Sequence, residues 1–209
     1  MAAWGEVVDF LRAFTPAGAA DAMTIMATPM REAFVICLDD EGGRATTPMR
    51  WGFSGRNDKT PNRPRHMHAR AETIDQLPTF AEAFARRRGI VLVKTFNVGE
   101  ELANGRTKQW TITPNDGAPL AIAVVWEEWR NEAQSLKTFV MASVPASPLI
   151  APVTERMPAL LRREDWPAWL GETEAPLADV KALLKPYEDE GGWTFAPEAR
   201  GAANQPALF

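Results

Sequence analysis

The sequence predicts an α+β domain: short antiparallel strands curled into a barrel or packed as a sandwich, with short helices mainly near the ends. Three observations point there. Short apolar, partly β-branched runs recur at close spacing. Turn signals such as Asn104-Gly105 and Asn115-Asp116-Gly117 fall between them. Neither an internal repeat nor an interdomain linker interrupts the 209 residues, so one domain is expected.

Trp4, Val7, Val8, Leu11 and Phe14 recur at helical spacing and predict an amphipathic helix over 4–14 that ends before Pro16. Ala33–Leu38 reads as a strand, 39–43 as a turn containing Gly42-Gly43, and Arg44–Phe53 as the returning strand. Residues 54–65 are polar, basic and rich in turn formers, which predicts an exposed loop. Phe80, Ala83 and Phe84 mark a short helix running into Arg86–Arg88, and 89–96 reads as a buried strand. Strands follow over 108–113, 120–126 and 136–144, then short helices over 165–170 and 177–184. The domain is expected to span 1–187, with 188–209 an irregular tail.

Composition narrows the function classes. Apolar runs are too short to cross a bilayer and no secretory signal opens the chain, so the expectation is a soluble cytoplasmic protein with no membrane partner. A single cysteine excludes a disulfide framework within the chain. Cys37 lies in the apolar run 34–38, where burial would silence its thiol. His66 and His68 are two imidazoles with no further ligand set, so no metal site is expected. No phosphate-cradling glycine loop and no cofactor motif appear.

The net charge of −4 hides an asymmetry: residues 44–108 carry thirteen Lys and Arg against six Asp and Glu. A local patch, not the sum, sets the field an anion meets. Within it Arg50, Arg56, Lys59, Arg63, Arg65 and Arg70 are interleaved with Trp51 and Phe53. Guanidiniums neutralise phosphates and aromatics stack on unpaired bases, so this pattern suits a nucleic-acid groove. The alternative for Trp51 and Phe53 is burial on the inner face of a strand.

Several segments carry a resemblance. Pro48-Met49-Arg50-Trp51-Gly52 is followed by His68-Ala69-Arg70-Ala71-Glu72-Thr73, then 87–91, 123–129, Arg156-Met157-Pro158 and 166–170. From about residue 23 to 187 the chain resembles the SRAP family, SOS response-associated peptidases that process abasic sites. The resemblance implies a single α+β barrel domain and single-stranded or junction DNA as partner. It also implies chemistry in which an N-terminal cysteine captures the abasic sugar as a thiazolidine, assisted by an Asn, a Glu and a His. Those positions correspond here to Ala2, His68, Val98 and Thr154, so a degenerate pseudoenzyme without catalytic residues is expected. The retained Arg70 and Arg156 match positions implied to lie near the DNA backbone and the site, and Glu72 is kept; with Arg50, Trp51 and Arg56 of the basic stretch they make the expected DNA-binding set. Two other readings stand beside it: an active enzyme with a relocated site using His68 with Glu100 or Glu101, and a scaffold whose basic face meets an acidic protein.

Overall fold

The computed structural model describes residues 27–56, 58–61, 66–188 and 192–198. The expected helix over 4–14, Ala2, Arg63 and Arg65 lie outside these described residues. The first hairpin forms where the sequence places it: β1 (Glu32–Leu38) pairs antiparallel with β2 (Arg44–Trp51). Asp39 Oδ1 closes the turn by accepting the Gly43 amide at 2.7 Å. After β3 (His68–Arg70) comes α1 (Ala81–Arg86), whose Ala83 and Phe84 are buried. β4 (Arg88–Val93) pairs with β7 (Leu120–Arg130), and β7 with β8 (Ser135–Pro145).

Strand β8 also pairs with β2, in parallel, through Arg50↔Thr138 and Trp51↔Phe139. The path β2-β1-β4-β7-β8 therefore returns to β2 and closes a five-stranded barrel. The expected fold class holds, with one change of detail. The barrel is not wholly antiparallel, because β8 runs parallel to both β2 and β3. Trp51, Ile90, Phe139 and Met141 are among the fully buried residues of its core.

The run 89–96 is not one strand. β4 ends at Val93 within the barrel, and β5 (Phe96–Glu101) pairs with β6 (Thr107–Pro114) in a separate sheet. Gly105 supplies the positive φ, 73°, that this hairpin requires. Short β9 (Arg156–Pro158), α2 (Trp166–Leu170) and α3 (Leu177–Ala182) follow. The expected irregular tail contributes β10 (Trp193–Pro197), which completes the small sheet by pairing with β6. Its ladder bonds and the stacking of Phe195 on Trp110, 4.7 Å between centroids, order a segment that has little pattern of its own. No helix among the described residues is long and apolar enough to cross a membrane.

Candidate nucleic-acid interface

Strand β8 is the ruler for the site. At its C-terminal end β3 lies alongside in parallel, Arg70 opposite Ser143, and β9 lies alongside antiparallel, Arg156 opposite Pro145. Residues far apart in sequence thus meet around Ser143. Together with the β5–β6 hairpin they line a cleft of about 730 Å³ that includes His68, Arg70, Glu101, Thr107, Ser143, Thr154, Glu155 and Arg156.

Arg156 is tied down. Its guanidinium forms a two-pronged pair with Glu72, Nη2 to Oε2 at 2.9 Å, and Nη2 also donates to the Ser143 carbonyl at 2.6 Å. That hydrogen-bonded pair holds the Glu72 carboxyl below its ordinary range. Lys181 of α3 donates to the Glu72 carbonyl at 3.0 Å and bonds Asp75, bracing the same loop. Arg70 is exposed and enters no ion pair among the described residues. His68 packs edge-on against Trp51, 5.7 Å between centroids, and burial pushes its imidazole down to about 4. It is neutral at neutral pH.

The predicted interface is divided in two. Arg50 sits opposite Thr138, five residues along β8 from Ser143, about 17 Å away at strand rise. Its Nη2 donates to the Ser54 hydroxyl at 3.3 Å and to the Pro61 carbonyl, so it fastens the following loop. Arg56 lies beside Glu127 at 3.5 Å and Glu82 at 3.9 Å, and Arg87 completes this network with a 2.7 Å bond to Glu127. Trp51 is corrected outright: its ring is fully buried, stacked on Phe139, and its Nε1 donates to the Met67 carbonyl at 2.8 Å. No face of it is open to a base. Phe53 is equally a core residue, 2% exposed.

Val98 also requires correction. β5 pairs with β6 without a bulge over Phe96–Glu101, so its side chains alternate strictly. Gly99 and Glu101 line the cleft, and Val98 is fully buried on the opposite face. Glu100 shares the Val98 face and accepts the Trp110 indole N–H at 2.8 Å. Of the two carboxylates weighed from sequence, only Glu101 reaches the cleft. Thr154 does line it. Ser143, Thr107 and Glu155 were not legible as site residues, since only the register of β8 with β3 and β9 and the β5–β6 hairpin bring them together.

The fold finds counterparts. The family model for SOS response associated peptidase (SRAP) matches residues 11–197. The chain belongs to the SRAP family. Among its relatives, abasic site processing protein YobE of Bacillus subtilis (strain 168) is 24% identical over 155 residues, 72% of this chain and 70% of YobE. Abasic site processing protein YoqW of Bacillus phage SPbeta is 23% identical over 155 residues, 72% of this chain and 68% of YoqW. A Bacteroides thetaiotaomicron protein shares the SRAP fold of this chain with TM-score 0.75 at 19% identity, over 96% of this chain and 90% of its own. A Bordetella bronchiseptica protein does so with TM-score 0.69 at 24% identity, over 82% and 85%.

Proposed function

We propose that this SRAP protein binds single-stranded or junction DNA at the β3–β8–β9 cleft and forms no stable thiazolidine with an abasic site. The observation that carries the proposal is the state of the one thiol. Thiazolidine formation needs a thiol beta to a free amine, and the thiol in this sequence is Cys37. That side chain is 3% exposed in β1, contacts the Thr47 hydroxyl at 3.8 Å, and burial raises its pKa. Its own backbone nitrogen is a peptide amide rather than a free amine beta to the thiol, and burial works against the thiolate. The relatives named as abasic site processing proteins and the exposed Arg70 support DNA as the ligand. A guanidinium left without a carboxylate is the group that meets a phosphate.

A second reading, an abasic-site enzyme with relocated groups, is favoured by one observation: His68 and Glu101 line the same cleft. The carboxylate there offers a proton acceptor, and the neutral imidazole a hydrogen-bond acceptor. A gel assay with abasic single-stranded DNA, run with and without borohydride, separates the readings. Salt-sensitive retardation with no denaturant-stable crosslink in either lane is expected. A crosslink seen only after reduction supports the relocated enzyme. A denaturant-stable crosslink without reductant defeats the proposal, and absence of retardation at low salt leaves the protein-scaffold reading.

A further inference from the structure

The cleft is not basic. Two guanidiniums, Arg70 and Arg156, line it with two carboxylates, Glu101 and Glu155. Arg156 is already paired to Glu72, so the charge it offers a ligand is largely spent. Among the described residues of the lining, Arg70 is the exposed cation that enters no ion pair, although Glu72 lies within its electrostatic reach, and two exposed carboxylates share the cleft with it. Both stem from backbone that is hydrogen-bonded in place. Glu101 is the last residue of β5, opposite Thr107, and the Glu155 carbonyl accepts the Ala146 amide at 2.9 Å. The other polar lining is neutral: His68, Thr107, Ser143 and Thr154.

We infer that Glu101 and Glu155 determine specificity by restricting the cleft to a single phosphate, held by Arg70, beside a neutral sugar. This rests on the DNA reading above. A run of phosphates entering the cleft would set a second anion against a carboxylate of the lining, and like charges placed together select against the wrong ligand. The neutral hydroxyl and imidazole lining suits the uncharged part of a nucleotide. The cleft therefore selects local phosphate spacing rather than total negative charge.

Fluorescence anisotropy at low salt tests this with two oligothymidylate decamers, one fully charged and one with neutral methylphosphonate linkages at its centre. Glu101→Gln and Glu155→Gln should each tighten the fully charged decamer about fivefold, the effect of removing one like-charge contact near 4 Å in water. Affinity for the neutral-centred decamer should change less than about twofold on the same scale. Both positions are exposed, and melting by circular dichroism verifies that the variants fold. If wild type binds the charged decamer and neither variant tightens it, the inference is overturned while DNA binding stands. If neither wild type nor variants bind either decamer, the DNA reading itself fails and the inference falls with it.

Discussion

His68 shows how one burial sets a pH response. The unfolded chain takes up a proton near pH 6.5, whereas the folded imidazole does so only near 4. Protonation in that window favours the unfolded chain, so this contribution to stability is complete above about 6.5 and is lost as pH falls toward 4. Denaturant midpoints of wild type and His68→Asn, compared from pH 7 to 4, should diverge at neutral pH and converge on acidification; a constant difference would remove His68 as the cause. The arginines give a sharper contrast. Arg70→Ala should weaken single-stranded DNA binding and leave the melting temperature within a degree or two, as an exposed residue away from packing does. Arg50→Ala should lower stability by about 1–2 kcal/mol, because the Ser54 hydroxyl and Pro61 carbonyl lose its charged bonds and keep only the one between themselves, with little direct effect on the cleft. Equal losses of DNA affinity in both variants would contradict this division. From sequence the two residues look alike, each an arginine in the same basic stretch. Only the carbonyl that Arg50 reaches and the open side of Arg70 tell them apart.

Two of the three expected hairpins were legible because their turns are local, whereas Asn115-Asp116-Gly117 joins β6 to β7 across two different sheets and makes no hairpin. Asn104-Gly105 and the turn at 39–43 specify neighbouring strands, and both pairs form. The breaks were not. Whether 89–96 stays one strand depends on β7 and β6, which are distant partners, and β10 takes its order from β6. The site inherits the same limit, since the Val98 assignment failed on which sheet face meets the cleft. At the start of β4 two adjacent residues hold the helices to the barrel. Arg88 Nη1 donates to the Phe84 and Ala85 carbonyls at 2.8 Å each, and its Nε donates to the Trp169 carbonyl. One guanidinium thus satisfies the C-terminal ends of α1 and α2, where carbonyls lack helical partners. Gly89 follows, where a Cβ would stand 2.5 Å from Val35 Cγ1 and 3.0 Å from the Ile36 carbonyl. Chemical denaturation of Arg88→Ala and Gly89→Ala should show losses of about 3 kcal/mol and about 1–3 kcal/mol, one from orphaned carbonyls and one from overpacking. A Gly89→Ala protein as stable as wild type would mean that β1 and β4 are spaced more loosely than described.

At the scale of the molecule, the sequence's local excess of positive charge does not become one groove. Part of it is absorbed by Glu127, with Glu82, around Arg56 and Arg87, and part by Glu172 at Arg44. The logarithm of DNA affinity should therefore fall with the logarithm of salt with a slope of about −1, as for one or two phosphates neutralised on a single strand. A slope of −4 or steeper would show that the basic residues act together after all. The barrel itself has a further consequence. β8 joins β7 to β2 and also receives β3 and β9, so four strands depend on it. While the chain is being made, β1, β2, β4 and β7 leave the ribosome before it, and β2 and β7 each wait with an unpaired edge. Such long-range closure is slow, and open edges are where one nascent copy can pair with another. The moment residues 135–145 emerge is thus the moment the protein becomes safe from its own neighbours.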